Sequence, residues 1–136
     1  MPFIYARTVR FKETDAAGVV YFANALTFCH EAYEASLAAA GVDLKLFFGN
    51  VPFAVPIVHA SIDFRQPMFC GDRLSVHLVP QQVSEHQFET VYQLFLADDQ
   101  LAARAIAKHV CINAAKRSPM PLPDVMMNWL AVTSLT

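Results

Sequence analysis

Two hydrophobic patterns follow one another near the N-terminus. Residues 3–11 alternate, with Phe3, Tyr5 and Val9 on one side of a predicted strand. Residues 22–40 contain neither proline nor glycine, are rich in alanine and leucine, and are followed by Gly41. This pattern predicts a long helix with a glycine just past its C-terminus. Because the helix is apolar nearly all round, we expect most of its sides to be buried.

The rest of the chain is predicted to be mainly β. Pro56 interrupts an apolar run, so the strand that contains it is expected to be irregular near its start. Three further β-like runs with short joints predict an antiparallel meander. The predicted elements are a connector with one helical turn over 42–50, strands over 53–65, 73–84, 86–98 and 101–114, a turn over 67–72, and a short helix over 126–130. One long helix against a curved antiparallel sheet of about five strands is an α+β fold, here in a single domain over residues 1–136.

Composition narrows the function classes. The chain is 55% hydrophobic and 16% charged, which indicates surface covered by partner subunits. The net charge is −2 and no basic run exceeds Lys116–Arg117, so nucleic-acid binding is not expected. No segment has the length of a membrane span and Met1–Arg7 lacks a signal-peptide pattern, so we expect a cytoplasmic protein without membrane contact. Cys29, Cys70 and Cys111 form no Cys-x-x-Cys pair and are expected to be free thiols.

Asp15 is the main candidate for chemistry. It precedes the turn Ala16–Gly18 and the predicted long helix, so its carboxylate lies beside a helix N-terminus, where backbone N–H groups are unpaired. Such a corner combines an acid that attacks or activates water with donors for an oxyanion. The alternative is that Asp15 only caps the helix. The residues by themselves leave both roles open.

The segment around Asp15 resembles the signature of hotdog-fold acyl-CoA thioesterases of the 4-hydroxybenzoyl-CoA thioesterase type. The matching residues are Phe11, Thr14, Asp15, Gly18, Val19, Val20, Tyr21, Phe22 and Asn24. Downstream, Arg65–Asp72 is similar to the family's Pro-x-x-x-Gly-Asp turn, and His109–Ile112 resembles the end of its last strand. The three matches occur in order and span nearly the whole chain.

The resemblance implies a hotdog fold and a site without metal or cofactor. Carried onto this chain, Asp15 attacks the thioester carbonyl or activates water, and the backbone N–H of Phe22 polarises the carbonyl as oxyanion donor. Gly18 lets the turn approach the substrate closely. The residues expected to bind the substrate are Gly18, Val19, Tyr21, Asn24 and His59.

Two segments narrow the resemblance further. Cys29–Glu34 and His59–Phe64 resemble the branch of the family that hydrolyses 1,4-dihydroxy-2-naphthoyl-CoA in phylloquinone (vitamin K1) biosynthesis. Aromatic neighbours of Asp15 suit a flat ring, and Asn24 and His59 are polar groups for ring hydroxyls. The same neighbours also suit a 4-hydroxybenzoyl group or a short or medium aliphatic acyl chain.

The CoA phosphates and the partner subunits are predicted from fewer signals. Arg65, Lys116 and Arg117 are the cations expected to bind CoA. Some relatives carry several arginines at the hairpin that corresponds to residues 84–87, and this chain has none there, so Lys108 or Arg73 are further candidates. The resemblance and the apolar composition predict a homo-oligomer, either a dimer or a tetramer of hotdog dimers, with the active site between subunits.

Two other readings of the polar residues remain. His30 and Glu34 lie on one helix face, and a hotdog dehydratase would use such a pair, but the His-Phe-Pro motif usual in those enzymes is missing. A non-catalytic acyl-CoA binding protein is the third class. His59, Ser61 and Asp63 have the composition of a hydrolase triad, but alternate strand residues are about 7 Å apart, too far for direct hydrogen bonds.

Overall fold

The computed structural model describes residues 2–134 and consists of seven strands and three α-helices. In chain order these are β1 (Phe3–Thr8), α1 (Phe22–Ala39), α2 (Leu44–Phe47), β2 (Phe53–Ala54), β3 (Ile57–Phe64), β4 (Arg73–Ser84), β5 (Gln87–Phe95), β6 (Leu101–Val110), β7 (Ile112–Asn113) and α3 (Asp124–Thr133). A single 3₁₀ turn, Phe11–Glu13, lies between β1 and α1.

Five strands form one antiparallel sheet in the order β1-β4-β5-β6-β3. The meander β4-β5-β6 is confirmed, and β1 and β3 pair with its two outer strands. The side chains of alternate residues on β4 and β5 are buried against α1, so the sheet has a helix-facing side and an outer side. The predicted α+β arrangement of one long helix on a five-stranded sheet is therefore confirmed.

The long helix agrees with its prediction in length but not in burial. α1 ends in a Schellman motif, in which Gly41 N–H donates to Ala38 O and Val42 N–H donates to Leu37 O, and Gly41 has a φ of +87°. Only one side of α1 is buried; the buried residues are Ala25, Phe28, Cys29, Ala32, Tyr33, Ser36 and Leu37. The expectation of burial on most sides was wrong for the single chain, because the sheet covers one face of the helix.

Several boundaries differ from the predictions. The strand predicted over 101–114 is divided at Cys111 into β6 and β7, and the strand predicted over 86–98 ends at Phe95. The first strand ends at Thr8, since the chain turns at Phe11–Glu13 instead of continuing as a strand to residue 11. Pro56 divides the predicted strand over 53–65 completely, and β2 pairs with β7 in a separate two-stranded sheet. The last helix spans Asp124–Thr133, longer than predicted, and its buried residues include Trp129 and Leu130.

The edge strand β3 is open. Although β3 contains several apolar residues, only Ile62 is partly buried, and Val58 is 61% exposed. Its outer backbone groups have no neighbouring strand within residues 2–134. In that part of the chain, no helix combines the length and apolar character needed to cross a membrane.

Candidate active site

A tight loop between the 3₁₀ turn and α1 holds Asp15. Asp15 N–H donates to Val19 O at 3.0 Å, and Gly18 N–H donates to Asp15 O at 2.9 Å. Gly18 has a φ of +82°, a conformation that side chains disfavour, which explains glycine here. The Asp15 Oδ1 atom accepts the Ala17 N–H at 2.9 Å, so the loop itself orients the carboxylate.

Asp15 does not cap the long helix. The N-cap residue of α1 is Tyr21, and no side chain caps it. Phe22 is the first helical residue, so its N–H has no acceptor within the helix. Within residues 2–134, no backbone or side-chain acceptor binds this N–H. A free donor at a helix N-terminus suits an anionic oxygen.

Asp15 and the start of α1 form one wall of a cavity of 420 Å³. The other wall comes from the segment that follows β3. The lining residues are Asp15, Val19, Val20, Tyr21, Phe22, Phe64, Arg65, Gln66, Pro67 and Met68. Val20 N–H donates to Met68 O at 2.8 Å and holds the two walls together. The volume falls in the range of small-molecule sites.

The rim of this cavity is aromatic and exposed. Tyr21 is 46% exposed, Phe22 is 57% exposed and Phe64 is 45% exposed. The ring centroids of Tyr21 and Phe22 are 4.8 Å apart. Exposed aromatic side chains around a cavity indicate that a flat apolar group or a partner subunit covers them.

The structure brings four of the predicted site residues together with Asp15. Val19, Tyr21, Phe22 and Arg65 line the same cavity, and Gly18 lies in the adjoining turn. Asn24 is close by, but its side-chain amide donates to Glu13 O at 3.0 Å. In this structure, Asn24 thus connects the helix to the residue before the loop.

The other predicted binding residues lie elsewhere in the chain. His59 pairs with Lys108 across β3 and β6, on the outer side of the sheet, because their neighbours Ala60 and Ala107 lie on the helix-facing side. Lys116 and Arg117 follow β7, near the start of β3, whereas the cavity lies at the end of β3. Eight strand residues span about 25 Å, so these cations are distant from Asp15 within one chain.

His30 and Glu34 form a separate pair. His30 Nδ1 is 3.5 Å from Glu34 Oε1, and both side chains are nearly half exposed. His30 lines a different cavity of 330 Å³ with Phe47, Phe48 and Phe53. The pair is not part of the Asp15 cavity, and in residues 2–134 no group of three His, Cys, Asp or Glu residues is arranged to hold a metal.

Two features of the site were not predicted as such. Gln66, Pro67 and Met68 line the cavity, although the sequence indicated them only as part of a turn motif. A buried ion pair between Arg7 and Glu13 lies beneath the Asp15 loop. No local pattern predicts that pair, because the two residues belong to different elements.

The fold is that of the hotdog thioesterases. The family described as the thioesterase-like superfamily matches residues 9–130, and the chain belongs to that family. A solved structure of a 1,4-dihydroxy-2-naphthoyl-CoA thioesterase from Synechocystis superposes with a TM-score of 0.93 at 42% identity, covering 100% of both chains.

Two relatives are similar over nearly the whole chain. The 1,4-dihydroxy-2-naphthoyl-CoA hydrolase of Nostoc punctiforme is 55% identical over 130 residues, which cover 96% of this chain and 87% of the relative. The 1,4-dihydroxy-2-naphthoyl-CoA hydrolase of Trichodesmium erythraeum is 53% identical over 132 residues, which cover 96% of this chain and 96% of the relative.

Proposed function

We propose that this chain, as a single thioesterase domain, hydrolyses 1,4-dihydroxy-2-naphthoyl-CoA to the free acid and CoA, and that it acts in phylloquinone biosynthesis. The observation that carries the proposal is the meeting of the Asp15 carboxylate and the free Phe22 N–H at one cavity. Acyl transfer from a thioester needs an oxygen nucleophile and a donor for the developing oxyanion, and this corner supplies both.

The reaction adds one water across the thioester. Asp15 either attacks the carbonyl carbon, giving an anhydride that water then opens, or takes a proton from the attacking water. In both routes the carbonyl oxygen becomes an oxyanion that the Phe22 N–H stabilises. When this oxyanion collapses, the C–S bond breaks and the thiolate of CoA leaves; it takes up the proton that water releases. In the anhydride route water then opens the anhydride, and in both routes the acyl group departs as the free acid.

The aromatic substrate is supported by the site and by the relatives. The cavity of 420 Å³ has aromatic and apolar walls with a few polar groups, which suits a fused bicyclic ring. Relatives at 55% and 53% identity carry the name of a 1,4-dihydroxy-2-naphthoyl-CoA hydrolase. A cytoplasmic location is part of the proposal, and the free thiols at Cys29, Cys70 and Cys111 suit a reducing compartment.

The catalytic role is tested with Asp15→Asn. This variant keeps the shape of the side chain but removes the charge, and turnover should fall roughly 10²-fold or more. Asp98→Asn is the matched control, because Asp98 also accepts an N–H two residues ahead, from Gln100, in an exposed turn. Turnover is measured by trapping released CoA with a thiol reagent. Near wild-type turnover in Asp15→Asn would refute the proposed mechanism.

The substrate is tested by comparing kcat/KM across a panel of acyl-CoAs. The panel contains 1,4-dihydroxy-2-naphthoyl-CoA, the naphthoyl analogue without hydroxyls, 4-hydroxybenzoyl-CoA, phenylacetyl-CoA and medium-chain acyl-CoAs. We expect the dihydroxynaphthoyl thioester to give the highest kcat/KM. A higher kcat/KM for the aliphatic thioesters would refute the dihydroxynaphthoyl substrate and leave only a general acyl-CoA thioesterase function.

We also propose a homo-oligomer in which β3 pairs with β3 of a second copy, either as a dimer or as a tetramer of two such dimers. The open edge of β3 carries exposed apolar residues, which strands with a free edge rarely present to water. β3 leads directly into Phe64 and Arg65 of the cavity, so a second copy at this edge lies beside the active site. The second copy is then the source of any His59, Lys116 or Arg117 contact with the substrate.

The β3 interface is tested with Ala60→Pro. Arg65 N–H donates to Ala102 O on β6, and because donors alternate along a strand, the N–H of Ala60 points to the open edge. Proline there removes an edge donor without removing a bond to β6. We expect wild type to sediment as a dimer or tetramer and Ala60→Pro as a folded monomer. Ala97→Pro, in the exposed β5–β6 turn, is the control; an unchanged oligomer in Ala60→Pro would exclude this interface.

A further inference from the structure

Arg7 connects three elements beneath the active site. Its Nη1 atom donates to both carboxylate oxygens of Glu31 on α1, at 2.6 and 2.8 Å, and its Nη2 atom pairs with Glu13 of the 3₁₀ turn. The guanidinium lies 4.0 Å above the centroid of the Phe28 ring. The side chains of Arg7 and Glu13 are only 9% and 11% exposed, so their ion pair is shielded from water, whereas Glu31 is 33% exposed.

Glu13 lies where the two ends of the Asp15 loop meet. Its backbone carbonyl accepts the Tyr21 N–H at 2.9 Å and the Asn24 side-chain amide at 3.0 Å. Its carboxylate accepts the Arg10 N–H at 2.8 Å in addition to the Arg7 pair. Asp15 lies two residues after Glu13, and Phe22 directly follows Tyr21. The positions of the Asp15 carboxylate and the Phe22 N–H therefore both depend on Glu13, which Arg7 holds in place.

We propose that Glu13, anchored by Arg7 and joined to Asn24, is a positioning residue that sets the distance between the Asp15 carboxylate and the Phe22 N–H. The inference rests on the proposed thioesterase function. A carboxylate and an oxyanion donor must face the same carbonyl, and a displacement of about 1 Å costs on the order of 10²-fold in rate. Substrate binding depends on the cavity walls, which Glu13 does not line.

The sharpest test compares Glu13→Ala with Glu31→Ala. Both variants remove one carboxylate from Arg7, but Glu31 lies about two and a half turns into α1 and does not contact the loop. We expect Glu13→Ala to lower kcat tenfold to hundredfold with KM within threefold of wild type. We expect Glu31→Ala to lower the melting temperature by about as much as Glu13→Ala does, while its kcat stays within threefold of wild type. Glu13→Gln keeps an acceptor oxygen and should recover most of kcat.

A second variant separates positioning from substrate contact at Asn24. Asn24→Ala removes the donor to Glu13 O, and the proposal predicts a lower kcat with unchanged KM. If Asn24 instead binds a ring hydroxyl, KM rises for the dihydroxynaphthoyl thioester and not for its analogue without hydroxyls. That second result would overturn the positioning role of Asn24.

The double variant Asp15→Asn/Glu13→Ala completes the test. If Glu13 acts through Asp15, Glu13→Ala lowers the residual rate of Asp15→Asn by less than threefold. Equal losses of kcat in Glu13→Ala and Glu31→Ala, or additive effects in the double variant, would refute the inference while the thioesterase function stands. A folded wild-type protein without activity on any acyl-CoA would instead refute the proposed function, and the inference with it.

Discussion

His109 should make the stability of this protein depend on pH. It lies on the helix-facing side of β6, is 2% exposed, and stacks on Phe88 with ring centroids 4.6 Å apart. Its Nδ1 atom lies 2.9 Å from Val55 O, the arrangement of a neutral ring whose N–H donates to that carbonyl. Burial lowers the pKa of His109 to about 4, with the nearby His30 as a smaller cause, against the partial opposing effect of Val55.

The sign and size of the effect follow from that pKa. In the unfolded chain a histidine titrates near 6.5, so between pH 6.5 and 4 the unfolded state binds a proton that the folded state does not. Stability is therefore fully present above pH 6.5 and is lost as the pH falls. The loss from this group is about 1 kcal/mol at pH 5.5 and roughly 2–3 kcal/mol at pH 4.5.

His109→Phe isolates this contribution. Phenylalanine keeps the ring stack but cannot titrate, and it loses the bond to Val55 O, which costs about 1–3 kcal/mol at pH 8. The difference in unfolding free energy between wild type and variant should shrink as the pH falls and vanish near pH 4.5. His86→Asn, in the β4–β5 turn, is the control, because it removes a histidine that is not buried.

Urea unfolding followed by Trp129 fluorescence measures these free energies. Trp129 is the only tryptophan, is fully buried, and lies 5.2 Å from the Phe88 ring, within the same cluster. Protein concentration and ionic strength are held constant, because an oligomer gains apparent stability with concentration. Parallel pH profiles for wild type and His109→Phe between pH 7.5 and 4.5 would refute the reasoning.

Two further outcomes are expected. Ser36→Ala should lower the free energy of unfolding by about 1–3 kcal/mol, because the buried Trp129 Nε1–H loses its acceptor, Ser36 Oγ, at 2.9 Å. A change below about 0.5 kcal/mol in urea unfolding would contradict this expectation. Arg65 lines the cavity and is the cation predicted to bind the CoA phosphates, so Arg65→Gln should raise KM severalfold with little change in kcat. An unchanged KM would contradict this role of Arg65.

Local sequence patterns determined the elements that depend on neighbouring residues. The long helix stops at Gly41 because only glycine readily adopts its positive φ, and that signal is visible in the sequence. The short joints of β4, β5 and β6 likewise allow little besides an antiparallel meander. The loop from Asp15 to Gly18 forms its own hydrogen bonds. The motif therefore carried the candidate nucleophile and the candidate oxyanion donor within the segment Asp15–Phe22.

Only the tertiary structure decided which distant residues meet. The face of β3 on which His59 lies depends on its register with β6, and a shift of one residue would reverse it. The Arg7–Glu13–Glu31 contacts join residues 24 positions apart through three elements, and the burial of His109 depends on packing against Phe88 and Tyr33. Local propensity acts over a few residues, whereas these arrangements are fixed by the packing of the helix on the sheet. The local sequence therefore determined the Asp15 loop, and the packing determined which residues hold that loop in place.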